Sequence, residues 1–320
     1  MKCLICNSEN IETIDTIVSD FVMARIAPTN KTNYKTKLCF CNQCSFAFYE
    51  YRLNKDEEKK LYYHYRDEDY QKLREQFEYG YTKEINNLLN TDTFALAEQK
   101  RVIKKLINDN GIKNIEIALD YGGNEGRSFF DELGSKAKYV FDISGARTVD
   151  GVINISSCED IKKHCYNFIM CNMLFEHLSD PVSIIKQLNK FGNKDTVYYI
   201  EVPSENPFIK GNKSLLKKKA ELINNPIYNI LRLYKYVLTL IYRYVRKPNF
   251  DFYKMAKYFF KTRKQPLMPM TEHINFFTIE SMKQMIELNG YEVIDIQENP
   301  EKGVLGTTLV LSALFKKKSS

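Results

Sequence analysis

From Asn114 onward the chain alternates short apolar runs with stretches of helical period. The runs are Ile115–Asp120, Lys138–Ser144, Gly151–Ile155, Tyr166–Met173, Thr196–Pro203, Tyr291–Gln297 and Thr307–Phe315. Rich in β-branched and aromatic residues, they read as strands. Gly126–Leu133, Asp180–Phe191 and Thr278–Gly290 read as helices between them. The last has Thr278 as N-cap, Glu280 in its first turn and Gly290 just past its end. Such alternation predicts an α/β fold, with a mostly parallel sheet covered by helices on both faces.

Two other zones break the pattern. Residues 51–112 are charged and helical in period, as in Asp56–Phe77 and Thr93–Asp109, and read as a linker or cover. Residues 204–270 interrupt the alternation after Val202 with a basic, Tyr-rich, helical segment. The expected division is therefore 1–50, 51–112 and 113–320, with the insertion at 204–270 inside the last.

Composition sharpens this picture at one place. The chain has 320 residues and a net charge of +7, but residues 211–264 hold 14 Lys/Arg against two acids. That segment alone carries +12, which leaves −5 for the remainder. The basic character is thus a local patch. The most apolar stretch, Ile227–Val245, is interrupted by Arg232, Lys235 and Arg243, which argues against a membrane span. The start lacks the pattern of a signal peptide. Eight Cys without such a signal suggest reduced thiols, and the expected location is cytoplasmic.

Five of those eight Cys lie in residues 1–50. Cys3 and Cys6 form one CxxC pair, and Cys41 and Cys44 form another. Four thiolates suit tetrahedral Zn²⁺, and a closed four-ligand site is structural. A hairpin or loop must fill the gap from Asn7 to Phe40. Cys39 is set outside the ligand set because side chains alternate along a strand. Cys158, Cys165 and Cys171 are scattered and read as ordinary thiols.

The first strand of the alternating region runs into Asp120-Tyr121-Gly122-Gly123-Asn124-Glu125-Gly126. Small residues in such a turn let the backbone approach a ligand, and the end of a parallel strand is where open α/β sheets bind one. The turn fits neither a GxGxxG fingerprint nor a P-loop. Asp142, ending the next strand, can hold a ribose diol; a loop-capping role is the alternative.

Together these residues resemble the class I S-adenosylmethionine-dependent methyltransferases. Asp120–Gly126 looks like their first motif and Asp142 like their ribose-binding acid. Tyr166–Phe191, with Glu176, His177 and Pro181, resembles their fourth strand and following helix. Thr196–Pro203 looks like the fifth strand, and the stretch from Glu272-His273 to Ile296 is similar to sugar-modifying members. Some of those members also carry an N-terminal zinc-knuckle domain. The resemblance implies a seven-stranded, Rossmann-like methyltransferase sheet. It implies S-adenosylmethionine bound by Asp120, Tyr121, Gly122, Gly123, Asn124, Gly126, Asp142 and Asn172. It further implies a nucleotide-linked sugar or surface polysaccharide as acceptor, methylated on oxygen or carbon. Asn124 stands where the family usually has Gly, and Asn tolerates left-handed backbone.

Methyl transfer needs alignment and the removal of one proton. His177 beside Glu176, and His273, are the candidate catalytic groups; a purely structural role is the alternative for each. His64, in a Tyr-rich stretch, is placed as part of a cover, and His164 as a surface residue. The basic insertion has three readings: an anionic membrane surface, a phosphate-bearing or acidic substrate, or a helical lid. An RNA methyltransferase and a non-catalytic binding protein are the rival functions. Nucleic acid is the less favoured partner because no known RNA-binding signature is present.

Overall fold

The computed structural model describes residues 1–27, 34–78, 81–210, 268–303 and 306–318. The basic segment 211–264 lies outside them, as do the membrane and substrate readings attached to it. Among the described residues no helix is long and apolar enough to cross a membrane.

The chain begins with β1 (Ile11–Ile17), α1 (Asp20–Ile26), β2 (Lys35–Cys41) and β3 (Ala47–Tyr49). Four helices follow: α2 (Lys55–Tyr62), α3 (Glu68–Phe77), α4 (Lys83–Asn90) and α5 (Thr93–Asp109). Each starts at a side-chain cap, from Asn54, Asp67, Thr82 and Asp92 respectively. Asn54 and Glu57 close a reciprocal capping box.

The alternating region gives β4 (Ile117–Tyr121), β5 (Ala137–Phe141), β6 (Ile153–Ile155), α6 (Cys158–Ile161), β7 (Tyr166–Asn172), α7 (Pro181–Leu188) and β8 (Gly192–Pro203). It ends with α8 (Pro207–Lys210), β9 (Asn275–Phe276), α9 (Ile279–Leu288), β10 (Tyr291–Gly303) and β11 (Gly306–Lys317). The seven-stranded sheet has the order β10-β11-β8-β7-β4-β5-β6. Strands β6, β5, β4, β7 and β8 run parallel, and β11 is antiparallel to both its neighbours. This is the Rossmann-like architecture that the alternation and the resemblance imply.

Both faces of the sheet are buried, as β7 shows. Phe168 and Met170 join Val102, Ile103 and Leu106 of α5 on one side. Ile169 and Cys171 join Ile185 of α7 and Met282, Met285 and Ile286 of α9 on the other. Continuous apolar strands of this kind are what a two-sided parallel sheet requires.

Two expectations change. Gly126–Leu133 is not a helix: it is a turn followed by a 3₁₀ turn at Asp131–Leu133. Gly126 and Gly134 both have positive φ, +76° and +74°, a left-handed backbone at each end of the span that a right-handed helix does not run through. The N-terminal sheet is also not built from residues 1–50 alone. Its order is β1-β2-β3-β9, and β9 comes from the far end of the chain.

Arg52 pins that junction. Its Nε donates to the carbonyl of Ser179 at 2.8 Å, and Nη2 to Leu178 O at 2.5 Å and Asn275 Oδ1 at 2.8 Å. Nη1 donates to the carbonyls of Tyr49 and Ile274, each at 3.3 Å. Burial pushes its pKa down to about 10, so it stays charged at neutral pH. Arg52→Ala strips partners from several largely enclosed carbonyls. We expect a loss of roughly 3 kcal/mol or more, read as a lower denaturation midpoint, with Arg52→Lys recovering only part of it.

Candidate active site

β4, β5, β7 and β8 end at one cavity of about 460 Å³, lined among others by Gly122, Asp142, Asn172 and Pro203. The chain leaves β4 for β5 on one side and β7 on the other, so the cavity lies at the switch point of the sheet.

The turn after β4 is shaped by what cannot fit there. Gly122 has φ +80°. A Cβ on Gly123 would fall 2.2 Å from Asp120 Cγ, so any side chain would displace the carboxyl. Asn124 takes the left-handed conformation, φ +50°. Its N–H donates to Asp142 Oδ2 at 2.8 Å, while the Ser144 N–H donates to Oδ1 at 2.7 Å. Ser144 Oγ also donates to Asn124 Oδ1 at 3.1 Å. Asp142 is thus oriented by two amides and keeps acceptor capacity on each oxygen.

Beneath this turn, buried polar atoms lack partners. Both carboxylate oxygens of Asp120, both amide atoms of Asn172 and both oxygens of Glu176 have no hydrogen-bond partner among the described residues. Buried polar groups are rarely left this way, and each costs about 1–3 kcal/mol. Burial, with the charge of Asp142, raises Asp120 to about 7. Burial raises Glu176 to about 7 as well, against the opposing charge of His273.

On the opposite wall, His177 Nδ1 lies 2.9 Å from the carbonyl oxygen of Glu272. That oxygen can only accept, so Nδ1 carries the hydrogen and Nε2 presents a lone pair, 3.8 Å from Glu176 Oε1. Burial, reinforced by the charge of His273, pushes His177 down to about 3. His273 Nδ1 donates to Glu205 Oε2 at 3.2 Å. Burial opposes protonation of His273, but Glu205, Glu176 and Glu272 outweigh it and its pKa is raised. The two imidazole rings are 4.8 Å apart. Glu272 is itself fixed by Arg74, at 2.7 Å, and by the Tyr70 hydroxyl.

The cavity therefore gathers Gly122, Gly123, Asn124, Asp142, Asn172, Glu176, His177 and His273. Asp120 sits just below it. Two residues of the expected cofactor set are placed elsewhere. The Tyr121 side chain packs on Phe141 and Phe191, in the core beneath the sheet. Gly126 faces Val152, 2.8 Å from where its Cβ would stand, and serves packing. His64 is exposed and paired with Asp67 at 3.0 Å, outside the cavity. The neighbouring Glu58, Tyr62, Tyr65 and Arg66 form the cover instead. Gln99 also lines the cavity, linked to Glu201 at 3.1 Å and to Ser128 at 3.1 Å. The tyrosine-rich run signalled a cover, but not which of its residues face inward.

The cysteine pairs meet as well. Cys3 and Cys44 Sγ are 3.6 Å apart, Cys6 and Cys41 Sγ 3.5 Å, and all four lie within 4.8 Å of one another. Both pairs use the same turn: Asn7 N–H donates to Cys3 O and Ser45 N–H to Cys41 O, with φ +58° and +60°. Cys39 is apart from them, 3.2 Å from the Met1 sulfur. Sulfurs around a tetrahedral zinc stand roughly 3.8 Å apart at Zn–S bonds of about 2.3 Å, so the donor set fits that ion.

A family model described as a methyltransferase domain matches residues 94–296, more than half of the chain. The chain belongs to the class I S-adenosylmethionine-dependent methyltransferases. No curated protein matches it. Similar solved structures include a methyltransferase from Anabaena variabilis, at 14% identity and TM-score 0.40, covering 70% of this chain and 87% of that one. A plantazolicin methyltransferase has 13% identity and TM-score 0.44, with 77% and 93% covered. A Burkholderia thailandensis 1,6-didemethyltoxoflavin N1-methyltransferase has 11% identity and TM-score 0.44, with 87% and 97% covered. The methyltransferase's Asp120 and Asn172, whose side-chain polar atoms have no hydrogen-bond partner among the described residues, lie beside a glycine cradle that a Cβ would fill, and together they fit a charged, multiply hydrogen-bonding cofactor.

Asp120 also sets a pH dependence. Its carboxyl moves from 3.8 to about 7 on folding, so the protonated form is the one favoured by the fold. Its contribution is full below the lower value and declines as pH rises through the upper one. Melts of the ligand-free protein should therefore lose stability as pH rises from about 4 to about 7, and Asp120→Asn should flatten that loss.

Proposed function

We propose that this methyltransferase modifies a sugar, nucleotide-linked or within a surface polysaccharide, on oxygen or carbon. S-adenosylmethionine supplies a methyl already activated on a sulfonium; the chain positions donor and acceptor and handles one proton. Asp142 is the group for the ribose hydroxyls. Gly122, Gly123 and Asn124 allow close backbone approach, and Asp120 and Asn172 offer polar atoms to the amino-acid end.

The observation that carries the acceptor reading is the wall opposite that turn. Glu58, Tyr62, Tyr65, Arg66, Glu176, His177 and His273 line it. Carboxylates, hydroxyls and imidazoles suit a polyhydroxylated acceptor, and aromatic rings suit the flat face of a sugar ring. The Arg66 guanidinium suits a phosphate or acid group on the same molecule. The acceptor's reacting atom then lies beside the Glu176–His177–His273 cluster, where its proton is removed.

Offering nucleotide sugars and RNA with methyl-labelled S-adenosylmethionine tests this. Label should enter a nucleotide sugar or glycan. Transfer into RNA, or none to any sugar, would overturn the acceptor assignment.

We also propose a structural zinc ion on Cys3, Cys6, Cys41 and Cys44. The matched turns and the sulfur spacing support it. One zinc per chain is expected by elemental analysis. Cys6→Ser should lower both zinc content and thermal midpoint, since metal binding is folding free energy. A folded wild-type protein lacking zinc would refute it.

A further inference from the structure

Glu176, His177 and His273 each present one ligand atom, all within 4.8 Å of one another. Their surroundings follow one plan. His177 is tied through Nδ1 to the Glu272 carbonyl at 2.9 Å, and His273 through Nδ1 to Glu205 at 3.2 Å. Anchoring one ring nitrogen on a carbonyl or carboxylate, with the other left free, is the arrangement of metal-ligating histidines. Glu176 is 2% exposed and, among the described residues, neither of its oxygens has a hydrogen-bond partner.

We infer that these three side chains bind a divalent first-row transition-metal ion on the cavity wall. Two imidazoles and one carboxylate suit such ions and leave coordination positions open. The set contains no sulfur, which separates it chemically from the cysteine cluster. Bonds of about 2.0–2.2 Å place ligand atoms roughly 3–3.5 Å apart. His177 Nε2 and Glu176 Oε1 already stand 3.8 Å apart, so small rotations close the site. The ion also compensates a buried carboxylate whose oxygens have no hydrogen-bond partner among the described residues.

The backbone supports the same geometry. The Glu176 carbonyl accepts the N–H groups of Ile274 at 2.8 Å and Asn275 at 3.0 Å. Residue 273 is thereby held beside residues 176 and 177, although nearly a hundred positions separate them in the chain. The open positions face the cavity, where an acceptor oxygen can bind the ion. A hydroxyl so bound gives its proton to water at lower pH than a free one does. This deepens the proposed function, and rests on it only for the place of the acceptor.

Calorimetric titration of Co²⁺ into the purified full-length protein, with the cysteine site left as isolated, tests the site without turnover. One equivalent should bind with weak visible absorption, free of the strong sulfur-to-metal bands of thiolate ligation. Glu176→Gln and His273→Ala should each weaken Co²⁺ binding at least about tenfold. Retained S-adenosylhomocysteine binding shows that the variants are folded. His273 is partly exposed, so its variant remains informative if the buried Glu176 variant misfolds. No Co²⁺ uptake by wild type, or equal uptake by wild type and a folded variant, would overturn the inference. Uptake without label transfer to any sugar would uphold the metal site and remove the sugar reading alone.

Discussion

One guanidinium holds the two halves of the molecule in register. Arg52 reaches the end of β3, the loop Leu178–Ser179 and the strand at Ile274–Asn275 with a single rigid fork. Asn275 completes the knot by donating to the carbonyls of Phe175 and Leu178 at 2.8 and 2.7 Å. Glu176, His177 and His273 on the cavity's far wall lie next to these segments. A lysine has neither the planar geometry nor enough donors to span them. The cysteine module is thus a bracket for the active-site wall, and its thiols share a core with Phe175, Phe277 and α9.

The sheet explains why the chemistry gathers where it does. With both faces covered by helices, only the strand ends are free to carry polar groups. Asp120, Asn172 and Glu201 sit at or near such ends and are all buried. Glu201 is satisfied by Gln99, Ser312 and Tyr199. Asp120 and Asn172 have no such partner among the described residues. Equally buried side chains on adjacent strands therefore differ in kind: one network is closed and stiffens the sheet, and the other stays open toward the cavity.

Much of this was legible in the chain because its causes are local. Seven apolar runs became seven strands, since strands buried on both faces need continuous apolar sequence. Thr278 caps α9 as its position suggested. Asn124 adopts the left-handed backbone that its side chain tolerates. At Gly126–Leu133 the cause is local too: two positive-φ glycines bound the span and outweigh its helical period. Other features lie beyond any local pattern. Tyr62 meets His177 and the Glu272 carbonyl, partners 115 and 210 residues away. Two residues of β9 complete a sheet begun more than two hundred positions earlier. The turn of Arg66 toward the cavity, or of Tyr121 into the core, follows from packing that only the assembled fold defines.

The late arrival of β9 bears on how the protein is made. Ala47 pairs with Phe276, and Val18 bridges Met270, so the first sheet cannot be completed while the ribosome is still reading the middle of the gene. At roughly 5–20 residues per second, the wait is on the order of ten to forty-five seconds. During that interval the nascent chain presents an open strand edge and a set of uncovered thiols. Early metal capture by the two cysteine turns would hold this segment in shape until its last strand emerges.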